Sequence, residues 1–338
     1  MSLAKAELRR LFKRRVTRVF LALVLLGLAL IPLVFTLTSQ KTGPEQLRAA
    51  EVKAQADFEM AVREHQRVVA ECEALKAGGA TDLDMRYGPN CGKDYAPTRE
   101  MFSAENYLPF EFTFRDEFGP SVMVFSAAVA LVAFVIGASF VGAEWHSGGM
   151  MNLLLWRPRR IPVLLTKLGV VLATMFGVTV VLGALWTVAF WLIGRYDGVL
   201  GKLTAGVWQS FALTGARGAT LVLLAAAIGF GLASLGRHTA MALGVGIGGI
   251  VVSEIGLRIA LQIVEVPFAD RYVVSTYVTA WLNKEFTLYD YRSCAFSMGQ
   301  CNPAELTVTW QHSAIVFGVA LALVLGGAIW SMRRRDIA

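Results

Sequence analysis

A chain of 338 residues in which 55% are hydrophobic and only 17% charged, with a mean hydropathy of +0.54, is too apolar for an ordinary soluble domain. Its net charge of +7 would fit a nucleic-acid partner if it formed one patch. The basic residues instead crowd into short segments between apolar runs, which is a topology signal and excludes nucleic acid.

Six runs are long enough to cross about 30 Å of hydrocarbon as helices: 19–37, 122–141, 169–193, 219–235, 240–264 and 313–330. They predict an all-α membrane protein of six transmembrane helices. Ahead of the first run, in 1–18, Leu3, Ala6, Leu8, Leu11 and Phe12 share one helical face with Arg and Lys around it. That pattern predicts an amphipathic helix lying in the inner interface. The first run follows a basic segment, as a signal peptide would, but it is longer than a signal core and no small-x-small site ends it. It reads as a retained span, bent near Pro32.

Segment 38–121 is the one sizeable extramembrane piece, a helical insertion between the first two spans. Pro44 to Lys76 predicts a long helix closed by Gly78 and Gly79, with Phe58, Val62, His65, Val69 and Cys72 on one side. So polar a helix needs a partner for that stripe, either the return segment or a second subunit. In the return segment Phe110, Phe112 and Phe114 alternate with polar residues. A short strand fits the pattern, but an interfacial aromatic belt is the preferred reading, because Pro120 and the second span follow at once.

Segment 142–168 cannot be one unbroken helix. Gly148 and Gly149 loosen its start, and Pro158 and Pro162 each remove a backbone donor. Between them, Met150 to Trp156 makes about two helical turns, flanked by Arg157, Arg159 and Arg160. A short helix held at a membrane surface is suited to pressing on a soluble partner; on charge alone a plain basic connector is the favoured reading, and the rest of the chain shifts that judgement.

Between the fourth and fifth runs only Gly236 to Thr239 intervene, a tight turn. Gly244-x-x-x-Gly248 in the fifth allows close helix packing, within the subunit or between subunits. Glu254 and Arg258 form the one ionisable pair inside a span, four residues apart with the acid first. Alone at mid-membrane each would cost roughly 2.5–3.5 kcal/mol, so pairing is close to obligatory. A self-neutralising structural pair is preferred over an element of a substrate path or a hinge. Within the loop 265–312, the stretch from Tyr272 to Phe296 alone holds seven aromatic residues, which predict partial immersion in the outer leaflet, and 331–338 closes the chain.

With the N-terminus inside, the cytoplasmic pieces 1–18, 142–168, 236–239 and 331–338 carry fifteen Lys and Arg against three acids. The outside pieces 38–121, 194–218 and 265–312 carry sixteen against twenty-one. The positive-inside rule thus places both termini in the cytoplasm. All four cysteines then fall outside, which favours disulfides over metal ligands. Cys72–Cys91 and Cys294–Cys301 are the local pairings, and two other connectivities would link the loops.

Enzymatic motifs fail on inspection. Gly92-Lys93 and Gly201-Lys202 lack both the earlier glycine and the following hydroxyl of a phosphate-cradling loop. Gly137-Ala138-Ser139 lacks the second glycine of a nucleophile elbow, and no zinc spacing occurs. The chain reads as no enzyme, with no cofactor of its own.

Glu144, Gly148, Leu153-Leu154, Pro158, Arg159 or Arg160 and Lys167, set between the second and third spans, together with Arg335-Asp336-Ile337 at the end, resemble the membrane subunits of ABC exporters of the ABCG-like, drug-and-polysaccharide-export class (type-2 permeases). The resemblance covers all but about 38–118, where that family has a shorter loop, and Trp156 stands where it has small polar residues. It implies that Glu144, Gly148, Leu153, Leu154, Trp156, Pro158, Arg159 and Arg160 belong to a coupling helix docking on a separate ATPase subunit, which holds the ATP and Mg. It further implies a broken re-entrant helix between spans five and six. A second permease subunit and membrane lipid complete the expected partners, and a bacterial inner (plasma) membrane is the expected location. The expected function is outward transport of a drug-like, lipid or peptide substrate. A secondary transporter would show intramembrane carboxylates in repeated positions, and only Glu254 offers itself. A membrane sensor or scaffold with 38–121 as receptor would explain the insertion but not the broken basic loop.

Overall fold

The computed structural model describes residues 3–80, 83–156, 159–294 and 302–334. Of the residues singled out above, Arg157, Pro158, Phe296, Cys301 and 335–337 lie outside these, and of Leu154 only the backbone is described. The chain divides into two compact units: 1–33, 114–191 and 200–338 form the first, and 34–113 with 192–199 the second.

Among the described residues, six helices are long and apolar enough to cross a membrane. They are α2 (Arg15–Thr38), α5 (Phe114–His146), α7 (Arg160–Tyr196), α8 (Ala205–Gly236), α9 running on to Ile263, and α12 (Trp310–Arg334). A short amphipathic helix, α1 (Leu3–Lys13), precedes the first. Most helices outrun the apolar runs that announce them: α8 begins fourteen residues before 219, because nothing in Ala205–Gly218 breaks a helix once Thr204 caps it through the Val207 amide.

In the first unit α5 is the most buried span. It crosses α8 at backbone contact. A Cβ at Gly137 would collide with the Ala226 carbonyl, one at Gly229 with the Phe134 carbonyl, and one at Gly218 with the Ser126 hydroxyl. Small residues at such crossings let dispersion contacts accumulate where no hydrophobic force drives helices together in lipid. The Gly244-x-x-x-Gly248 face is different: a Cβ at either glycine meets nothing within 4 Å, whereas Gly246 between them is pressed against the Phe134 ring.

The fifth span is not one regular helix. α9 (Thr239–Val251) passes through a π-turn, Val252–Leu257, into α10 (Arg258–Ile263). The following loop holds α11 (Val274–Asn283) and an antiparallel hairpin, β1 (Glu285–Asp290) with β2 (Ala304–Thr309). These strands are an addition to the expected all-α architecture. Their register pairs Thr287 with Thr307 and Leu288 with Leu306, and Leu288 and Val308 bury against Ala280 of α11. α11 is tied to α8 by the Trp281 indole, which donates to the Arg217 carbonyl at 2.9 Å.

The second unit is built on α3 (Pro44–Ala77), about 51 Å long at 1.5 Å per residue. Its stripe faces the return segment: Phe58, Val62, His65 and Val69 are half-buried and Cys72 is buried. Cys72 is bonded to Cys91, Phe58 meets the Phe102 ring at 5.8 Å, and Tyr87, at the end of the single turn α4 (Asp84–Tyr87), donates to Glu71 at 2.9 Å. Phe112 has no exposed surface here. Its amide donates to the Ser39 hydroxyl at 3.0 Å, which in turn donates to the Asp197 carbonyl at 2.6 Å. Phe114, in the first unit, is equally buried, packed on Phe118 at 4.7 Å. The expected belt is therefore absent at these two positions, and only Phe110 stays substantially exposed.

Candidate functional site

The α5–α7 connection is where sequence and geometry converge. Gly148, with φ +70°, turns the chain after α5 in a conformation that costs a side-chain-bearing residue strain. α6 (Gly149–Trp156) follows, two turns long. Met150 is fully buried and anchors its start, while Leu155 and Trp156 at its end are 77% and 87% exposed. Leu153 is half-buried, and Arg159 is exposed. Arg160 opens α7 and donates to the Met332 carbonyl of α12 at 3.3 Å, so it is a tether as well as a charge. Pro162 sits in the first turn of α7, where its missing donor costs nothing.

Glu144 does not share that exposed surface: it is 3% exposed and turned inward. Its Oε1 accepts from Arg14 at 2.8 Å and Arg10 at 3.2 Å, and its Oε2 lies 2.7 Å from Lys167 Nζ. Lys167, without exposed surface, is also 2.7 Å from Glu7 Oε2. Arg14 donates its second branch to the Ser139 carbonyl at 2.9 Å and lies 5.0 Å over the Phe140 ring, which Lys167 also faces at 5.3 Å. Burial pushes the Arg14 guanidinium below its usual pKa, with Glu144 opposing that shift, and an arginine stays charged regardless. The cluster joins α1, the α1–α2 junction, the end of α5 and the second turn of α7, the last two being the helices that α6 connects. Three cations face two carboxylates, and each charge has an opposite partner within 4 Å, which is what makes burial tolerable.

Sequence reasoning found Glu144, and Lys167 through the resemblance, but missed Glu7, Arg10 and Arg14. One signal was present: Glu7 is the only acid in 1–18, and it shares a helical face with Leu11, Arg10 and Arg14.

Glu254 and Arg258 sit on and just after the π-turn. Arg258 Nη2 is 4.0 Å from Glu254 Oε2, but each has a nearer partner. Arg258 Nε lies 2.8 Å from Asp270 Oδ1, and Glu254 accepts from both the amide and the hydroxyl of Ser275 at 2.7 Å. Beside it, the Ser253 hydroxyl accepts from the Val274 amide at 3.1 Å. α11 has a valine at its N-cap and no capping side chain of its own. The π-turn supplies the cap from another helix. Cys294 is disulfide-bonded, and Cys301 lies outside the described residues.

Six candidate spans among the described residues, with a short amphipathic helix ahead of them and another short helix between two of them, define a multi-pass membrane protein. A family model described as "ABC-2 family transporter protein" matches residues 1–337, and the chain belongs to that family. Membership makes it the permease, not the catalytic part, of an ABC transporter, and implies an ABC ATPase as partner. Neither a curated protein nor a solved structure matches the chain.

Proposed function

We propose that this chain is the transmembrane subunit of an ATP-driven exporter that moves a drug-like, lipid or peptide substrate outward, with α6 docking on a separate ATPase subunit. The observation that carries this reading is the contrast within one loop. Leu155 and Trp156 stand bare at the end of α6, while Glu144 and Lys167 pair the two helices that carry it. Bare aromatic and aliphatic residues on a rigid mount are what an interface anchor requires.

In this mechanism Trp156, Leu155 and the half-buried Leu153 enter an apolar pocket of the ATPase, and Arg159 meets acids at its rim. Gly148 permits the turn into α6, and Arg160 ties its exit to α12. Glu144 couples from within: it passes movement of α6 to α1, α5 and α7 together. ATP and Mg belong to the partner. A second permease subunit packs on the open Gly244–Gly248 face of α9, and the pathway forms between the two copies. Both termini and α6 lie in the cytoplasm, α3 outside, in a bacterial inner membrane.

The test is affinity capture of the tagged full-length chain from its native membranes, with ATP hydrolysis measured in the eluate. ATPase activity that co-purifies with the wild-type chain and is lost with Trp156→Ala, while membrane insertion is unchanged, supports the reading. Equal ATPase recovery with both chains overturns it.

A further inference from the structure

On α1, Glu7 and Leu11 face the charge cluster and are buried. The adjoining face, Ala4, Leu8 and Phe12, looks instead into an open apolar groove of about 920 Å³, walled by α2 and α7. Its floor is unusual: Gly169, Ala173 and Gly177 recur every fourth residue on α7, and a Cβ at either glycine would meet nothing within 4 Å. The bare strip extends from Thr166 to Leu182, about 24 Å of helix, against about 15 Å for half the hydrocarbon thickness. It starts beside the interfacial helix and runs past the bilayer midplane. Phe12 is 45% exposed and Val181 59% exposed along it.

The mouth has a sign. Lys5 lines it, Arg9 stands one turn further along α1, and both are exposed. The carboxylates at this end among the described residues, Glu7 and Glu144, are already held by Lys167, Arg10 and Arg14. A second copy of this chain laid in the groove would therefore bring apolar side chains but no counter-charge from them. An anionic glycerophospholipid brings both, a phosphate at headgroup height and an acyl chain of the right length and thinness for a floor of bare backbone. We propose that the α1–α2–α7 groove is a binding site for one anionic phospholipid of the bilayer, its acyl chain along Gly169–Gly177 and its phosphate at Lys5 and Arg9. The site requires only that the spans lie in a membrane, and it stands or falls independently of ATPase docking.

The test uses the full-length protein in mild detergent, exchanged against mixed phosphatidylglycerol and phosphatidylcholine, with retained lipid identified by native mass spectrometry. The wild-type chain retains phosphatidylglycerol. Ala173→Phe, which fills the groove, lowers retention about tenfold or more, as for a lost interaction of ordinary strength. Lys5→Gln and Arg9→Gln leave a chain-binding groove but reduce the preference for phosphatidylglycerol about fivefold each, the effect of one cation near a headgroup. The two exposed positions decide the matter alone if Ala173→Phe fails to insert. A wild-type chain without retained lipid, an unchanged headgroup preference in the Lys5 and Arg9 variants, or intermolecular crosslinking of Ala173→Cys in native membranes would each overturn the proposal, the last by placing a protein helix in the groove.

Discussion

Lys167 Nζ and Glu144 Oε2 lie 2.7 Å apart in a site where the lysine has no exposed surface and the glutamate almost none. Glu144 lies near the end of α5 and Lys167 two turns into α7, so the ion pair ties together the two helices that α6 connects. Lys167→Met would leave two buried carboxylates with one cation fewer, and breaking a buried pair from one side costs roughly 3–5 kcal/mol. Thermal unfolding in detergent should show that loss. Adding Glu7→Gln should recover part of it, since the second change removes a charge the first left unpaired. Strictly additive losses would mean the three groups do not act as one cluster.

Trp156 touches little within the subunit, so Trp156→Ala and Leu155→Asp should each change stability by no more than about 0.5 kcal/mol. Both should nonetheless depress ATPase capture. Arg159→Gln should weaken capture more at low than at high salt, because screening already reduces a rim charge. A loop that only fixes topology would give intact capture in all three variants.

Glu254 caps α11 from outside that helix, so its removal should be felt locally. Glu254→Ala should speed amide exchange at Ser275 and its neighbours about tenfold, the usual effect of losing a cap, and leave α8 and α5 unaffected. Glu254→Gln keeps an acceptor for the Ser275 amide and should exchange at nearly the wild-type rate. A carboxylate that mattered only through Arg258 would reverse this, with Gln as damaging as Ala.

The Cys72–Cys91 bond joins residues 19 apart and ties the far end of α3 to the return segment. On the chain-entropy estimate its loss costs roughly 3 kcal/mol. Dithiothreitol should make 34–113 readily cleaved by added protease while the six long helices resist. Unaltered cleavage would show that aromatic contacts such as Phe58–Phe102 suffice.

How much of this was readable beforehand depends on the range of each interaction. Continuous apolar runs reveal spans directly, because a lipid-exposed helix must be apolar along its whole crossing, and Gly148 with the following apolar segment reveals α6. The ends of helices are less visible: α8 extends through Trp208 and Gln209 before its apolar run begins, since polarity limits membrane depth but not helicity. The alternation of Phe110, Phe112 and Phe114 shows a periodic face without showing what covers it, and burial of two of the three by neighbouring chain could not be read from spacing. The cluster was least legible. Arg10 and Glu144 are 134 positions apart and Arg14 and Glu144 130, and no local pattern encodes a partner at that distance. Glu254 and Arg258 illustrate the converse: a spacing that suggested a closed pair concealed a nearer partner for each in Ser275 and Asp270.

The π-turn at Val252–Leu257 holds one residue more than an α-turn of the same rise would. Winding the same residues as regular α-helix would push one of them past the turn and rotate everything beyond by about 100°. Arg258 would swing off Asp270, and α11 would lose the cap that Glu254 and Ser253 provide. The surplus residue thus works as an indexing tooth: it sets the azimuth at which the fifth helix meets the hairpin region.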